Sequence, residues 1–129
     1  MTEFLETLPS AHDHRLLMHA AHPDWTVSHR RRVRAAFRHS DWSASAYVDG
    51  ELAGTIRVVT DHVSFGLIAD LLVHPDHRHQ GIGSTLVKMA VVAHPEYYLY
   101  ADPQTPELSS FYTKAGFTDH AVWRHHPDR

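Results

Sequence analysis

Asp70-Leu71-Leu72-Val73-His74-Pro75-Asp76-His77-Arg78-His79-Gln80-Gly81-Ile82-Gly83-Ser84-Thr85-Leu86 is the stretch that decides how this chain is read. It opens as an apolar run that stops at Pro75. A short polar loop follows, and two glycines then open a segment of helical apolar period. A strand, a glycine-containing loop and a helix N-terminus in that order make an anion site. Free backbone N–H groups converge there, and the helix dipole favours negative charge. Glycine lets the backbone approach a phosphate with no Cβ in the way.

Two nucleotide signatures are excluded. A Walker loop needs a Lys after its last glycine, and Ser84 follows Gly83. A dinucleotide fingerprint needs a third glycine where Leu86 stands. What remains is Arg78-x-x-Gly81-x-Gly83 directly after Leu71-x-Val73-x-Pro75. Further on lies Phe111-Tyr112-Thr113-Lys114-Ala115-Gly116-Phe117. The first pattern resembles motif A of the GCN5-related N-acetyltransferases (GNAT), and the second resembles their motif B. The gap between the two leaves room for one helix, one strand and the start of another helix, which is the family order. The resemblance runs from about Ser43 to Phe117. Arg57-Val58-Val59-Thr60-Asp61 followed by Asp70-Leu71-Leu72-Val73 is similar to a subgroup of small bacterial members.

The resemblance implies an α/β fold: a mixed, mostly antiparallel sheet with helices on both faces, splayed to admit acetyl-coenzyme A as co-substrate. It implies that Arg78, His79, Gln80, Gly81, Ile82, Gly83, Ser84 and Thr85 hold the pyrophosphate. Leu71, Leu72 and Val73 would pair their backbone with the pantetheine arm, almost as an added strand. An N–H from Leu71 or Leu72 would polarise the thioester oxygen. Tyr112 would be the acid that reprotonates the leaving thiolate. An unperturbed tyrosine keeps its proton to about pH 10, so it needs no tuning for that task. The competing reading of Tyr112 is packing against Phe111 and Phe117. Asp70 is the candidate base, acting directly or through water. His74 is an alternative, since histidine titrates near neutrality. Asp61 reads as a turn residue. The expected reaction moves an acetyl group to a primary amine of a small molecule or peptide.

Composition bounds this reading. The 129 residues fit one domain spanning 1–129, with one core. A net charge of −3 gives no footprint for nucleic acid. No apolar run approaches the ~20 residues that span a bilayer, and the N-terminus lacks signal-peptide order. The absence of cysteine excludes disulfides and thiol catalysis. These points predict a cytoplasmic protein. The 14 histidines include local groups at His12/His14, His74/His77/His79 and His125/His126. None has a metalloenzyme spacing, so no functional metal is expected. Two rival readings stand beside the enzyme: a non-catalytic acyl-CoA-binding module and a histidine-based metal-binding protein.

Along the chain, Thr2–Thr7 reads as a short edge strand and His12–Ala21 as a helix ended by Pro23. Ser28 is the expected N-cap of a second helix running to His39. Its run of arginines (Arg30, Arg31, Arg32, Arg34, Arg38) reads as a solvated face. Ala44, Ala46 and Val48 alternate as a strand, and Asp49-Gly50 signals a hairpin. Leu52–Thr60 and Val63–Val73 complete a meander across Asp61-His62. A helix from Gly83 stops at Pro95, and Tyr97–Ala101 is the next strand. Thr105 caps a helix to Ala115 with Gly116 as its C-cap. Phe117–Trp123 is expected as a last strand, and His125–Arg129 as a frayed tail. Many members carry a further final strand. Here it would be absent or supplied by the partner in a homodimer.

Overall fold

The computed structural model describes residues 1–103 and 105–127, so the expected tail at Asp128 and Arg129 lies outside the described residues. Five strands form one sheet in the order β1 (Thr2–Leu5), β2 (Trp42–Val48), β3 (Glu51–Thr60), β4 (Phe65–Val73) and β5 (Tyr98–Ala101). The first four are antiparallel, and β5 joins β4 in parallel. Helices α1 (Ala11–Ala21) and α2 (Val27–Arg38) precede β2. Helix α3 (Ile82–Ala93) links β4 to β5, as a parallel pair requires, and α4 (Pro106–Lys114) follows β5.

The sheet buries a different set of side chains on each face. Ile56, Val58 and Ile68 meet Ile82, Leu86, Val87 and Ala90 of α3, with Tyr112 of α4. Leu52 and Leu72 meet Leu17, Met18, Val33 and Phe37 of α1 and α2. Side-chain caps set the helix starts. Ser10 Oγ accepts from Asp13 N–H at 3.1 Å, Thr26 Oγ1 from His29 N–H at 3.0 Å, and Thr105 Oγ1 from Leu108 N–H at 3.2 Å. The cap of α2 is therefore Thr26, and Ser28 lies inside the helix. The hairpin at Asp49-Gly50 forms as expected, with both residues at positive φ.

The predicted strand Phe117–Trp123 does not form. Phe117 packs on the core, but residues 117–126 have no regular structure. A strand needs an edge to pair with and a face to bury. Val122 is 71% and Trp123 97% exposed, so neither finds such a face. The segment stands off from β5 and leaves a groove of about 750 Å³ between β5, α4 and residues 115–122.

His14 is the most unusual core residue. It is fully buried between α1 and α2, edge-on to Phe37 at 4.5 Å. Its Nδ1 lies 3.2 Å from Arg34 Nη1, so the ring proton sits on Nε2, which has no partner among the described residues. Burial, aided by the Arg34 charge, lowers its pKa from 6.5 to about 4. The unfolded chain therefore binds a proton between pH 6.5 and 4 that the folded chain refuses. Stability present above pH 6.5 is lost as pH falls through that window, by about 3 kcal/mol at most. Urea midpoints at pH 7.5 and pH 4.5 should differ more in the wild type than in His14→Leu. Equal slopes in the two proteins would assign the acid sensitivity elsewhere.

Candidate active site

The site begins with one extra residue in β4. Arg57 pairs with Asp70 and Val58 with Ile68, so Ala69 is a bulge with no partner on β3. In a regular strand Ile68, Asp70 and Leu72 share one face. The bulge separates them: Ile68 points to α3, while Leu72 points to α1 and α2. It also ends the pairing with β5, whose last partner is Ile68. From Ala69 to Val73 the β5-facing edge of β4 carries no strand among the described residues. Leu71, Leu72 and Val73 thus lie where the sheet opens.

The phosphate loop follows at once. His74 N–H donates to Ala53 O at 2.7 Å, tying the end of β4 to a second bulge, in β3. Pro75–His77 makes one turn of 3₁₀ helix, and the Asp76 N–H donates to His74 Nδ1 at 3.1 Å. Arg78 folds back, its Nε donating to Val73 O at 3.3 Å. His79 (φ 62°) and Gly81 (φ 83°) are both left-handed, with Gln80 between them. Gly81 has no side-chain cap, and the first helical bond runs from Thr85 N–H to Gly81 O at 3.0 Å. The N–H groups of Ile82, Gly83 and Ser84 therefore have no acceptor within the helix. Ile82 turns its side chain into the core and anchors this end of α3. At Gly83 a Cβ would touch the Phe111 ring at 3.4 Å and Val73 Cγ2 at 3.6 Å. These residues lie together: a helix N-terminus without a side-chain cap abuts a strand edge that carries no strand among the described residues.

Tyr112 reaches the core from α4. It is 8% exposed and edge-on to Phe111 at 5.2 Å and Phe117 at 5.3 Å. Burial, reinforced by the Asp102 carboxylate, pushes its phenol up to about 12. It is protonated at any working pH. Asp70 sits opposite Arg57, whose Nε donates to Oδ2 at 2.6 Å. Arg57 is braced in turn by Ser40 Oγ at 3.4 Å and by the Phe37 ring at 5.8 Å. Oδ1 of Asp70 accepts no hydrogen bond among the described residues. Asp61 is a turn cap: its Oδ1 accepts from the N–H of Val63, Ser64 and Phe65, which holds its carboxyl at about 2. His74 points at Glu51, with Nε2 3.9 Å from Oε1. Among the described residues no three His, Asp or Glu are placed to hold a metal ion. Sequence reasoning missed Arg57, because its partnership depends on a register that the Ala69 bulge sets.

The family model for the acetyltransferase (GNAT) domain matches residues 42–119, more than half of the chain. No curated protein matches. Among solved structures, a GNAT-family acetyltransferase from Streptococcus pneumoniae is 27% identical, with a TM-score of 0.79 over 97% of this chain and 98% of that one. AAC(6′)-Iy, solved in complex with the bisubstrate analogue CoA-S-monomethyl-acetylneamine, is 14% identical, with a TM-score of 0.74 over 100% and 99%. Glucosamine-6-phosphate N-acetyltransferase from Arabidopsis thaliana is 16% identical, with a TM-score of 0.67 over 98% and 97%. The last two are likenesses of fold. With a bulged, splayed β4 leading into a glycine-opened helix, and with the domain match spanning both, the chain belongs to the GNAT acetyltransferase family, enzymes that draw their acetyl group from acetyl-CoA.

Proposed function

We propose that this chain is one acetyltransferase domain that moves the acetyl group of acetyl-CoA directly onto a primary amine of a small molecule or peptide. The observation that carries the reading is the adjacency of two backbone arrays that neither strand nor helix takes up, with Arg78 Nε alone reaching Val73 O. One is the edge of β4 from Ala69 to Val73, and the other is the N-terminus of α3. An amide-bearing arm suits the first and a pyrophosphate suits the second.

The roles divide as follows. Leu71, Leu72 and Val73 offer backbone to the pantetheine arm, and an N–H of Leu71 or Leu72 polarises the thioester oxygen. Arg78, His79, Gln80, Gly81, Ile82, Gly83, Ser84 and Thr85 form the pyrophosphate cradle, mostly by backbone. Tyr112 returns a proton to the thiolate. Asp70 binds the acceptor's ammonium group with its free oxygen. No thiol exists to carry an acyl-enzyme, which supports direct transfer.

Calorimetric titration of the tag-free protein with acetyl-CoA, with adenosine 3′,5′-bisphosphate as control, should give saturable binding at one site per chain. Thiol release with a panel of amines then separates the enzyme from an acyl-CoA-binding module. No binding at millimolar acetyl-CoA would end the transferase reading. The edge of β5 that carries no strand among the described residues, with Val122 exposed across the groove from it, supports a homodimer joined there. Light scattering on the full chain should report twice the chain mass. A monomer mass at high concentration would end that part.

A further inference from the structure

The mechanism above uses no residue from the connection between α1 and α2, yet that connection carries an ordered aromatic stack. His22 lies flat on Trp25, with centroids 4.1 Å apart and an interplanar angle of 6°. Trp25 in turn meets the edge of His29 at 4.6 Å. Backbone bonds lock the stack: His22 N–H donates to Met18 O at 2.8 Å, and Trp25 N–H to His22 O at 3.1 Å. Arg30 Nη1 donates to Trp25 O at 2.6 Å. Trp25 packs on the cluster that holds Leu72 and Phe37, and Arg57, the partner of Asp70, sits over the Phe37 ring, so the stack lies on the same side of the sheet as Asp70. The His22 imidazole is half-buried and makes no side-chain hydrogen bond among the described residues.

We propose that His22 is the base that takes the proton from the acceptor's ammonium group, with the free oxygen of Asp70 holding that group and Trp25 fixing the imidazole. The inference rests on the acetyltransferase reading and deepens it. A neutral imidazole is a better proton acceptor than a carboxylate already held by an arginine, as Asp70 is by Arg57, so it suits this step. The groups that bear on His22 come from each neighbouring element: Asp24 beside it, His29 on α2, Asp70 on β4 and Arg78 in the phosphate loop. Arg57 on β3 acts on Asp70. Burial, with the Arg78 and His29 charges, lowers the His22 pKa, while Asp24 and Asp70 raise it; burial dominates. The ring is therefore neutral at pH 7 and ready to accept.

The proton balance closes. His22 takes one proton from R–NH3⁺ and later yields it to water. The freed amine lone pair forms the C–N bond to the thioester carbon, and the C–S bond breaks. Tyr112 gives its proton to the departing thiolate and recovers one from the nitrogen as the amide forms. One proton is released per turnover.

The test is His22→Gln in the full chain, assayed for amine-dependent thiol release from pH 6 to pH 10. The expected result is a loss of about a hundredfold in kcat/KM for the amine at pH 7. The deficit should shrink as rising pH deprotonates the amine unaided. Acetyl-CoA affinity should stay at the wild-type value, and free imidazole should restore rate to His22→Ala. A His22→Gln pH profile parallel to the wild type would overturn the proposal. An NMR titration of the His22 ring supplies a readout without turnover. Its midpoint should lie below the ordinary histidine value and fall further in Asp70→Asn. An ordinary midpoint unmoved by Asp70→Asn overturns the proposal by itself. Bound acetyl-CoA with no amine turned over by the wild type would instead overturn the acetyltransferase reading.

Discussion

Gly83→Trp should abolish acetyl-CoA binding, weakening it at least about a hundredfold, or roughly 3 kcal/mol. A Cβ at this position already reaches contact distance of Phe111 and Val73. A methyl group fits there and an indole does not. The larger side chain must either displace Phe111 or swing over the N-terminus of α3, where three N–H groups stand without acceptors. Each charge-assisted bond to a phosphate oxygen contributes about 1.5–3 kcal/mol, so covering that end removes most of the anchoring. Gly83→Glu makes the same point by charge. A carboxylate near a helix N-terminus stabilises the helix by a few tenths of a kcal/mol or more while repelling the phosphates. Gly83→Ala should keep its fold, and Ala favours a helix interior over Gly by up to about 1 kcal/mol. Calorimetry and thermal melting on the three variants separate binding from folding. Wild-type affinity in both Gly83→Trp and Gly83→Glu would move the anion site away from α3.

The backbone site was legible in sequence because its signals are local. Pro75 stops a strand, Gly81 needs a left-handed φ, and Ile82, Leu86, Val87 and Ala90 repeat at helical spacing. The same holds at α4, where Thr105 caps and Gly116, with φ 96°, ends the turn. What escaped depends on register. No Gly or Pro marks the Ala69 bulge, and the residues on either side of it alternate normally. Yet this one residue decides which face Asp70 occupies and gives it Arg57 as a partner. The expected strand at Phe117–Trp123 failed for a related reason. Alternation describes a strand's faces but cannot supply the neighbour it must pair with. The His22–Trp25 stack was invisible because a Pro23-containing connection reads only as a helix stop.

Tyr112→Phe should lower turnover about a hundredfold and leave acetyl-CoA affinity unchanged. Removing one oxygen keeps both edge-on contacts, to Phe111 and Phe117, so the core has no reason to rearrange. What is lost is a proton donor. The leaving thiolate must then be protonated by water, which the buried setting of Tyr112 restricts. The raised pKa sharpens the test. An ordinary tyrosine would begin to lose its proton near pH 10, and activity that depended on it would fall there. Burial, with Asp102 adding to it, moves that limit up to about 12, so the wild-type rate should not decline between pH 8 and 10 through Tyr112. Pre-steady-state thiol release reads the chemical step apart from product release. A Tyr112→Phe rate equal to the wild type in that assay would make Tyr112 a packing residue and return the acid's role to water. A loss confined to the chemical step, with calorimetric affinity intact, would place the proton transfer at this hydroxyl.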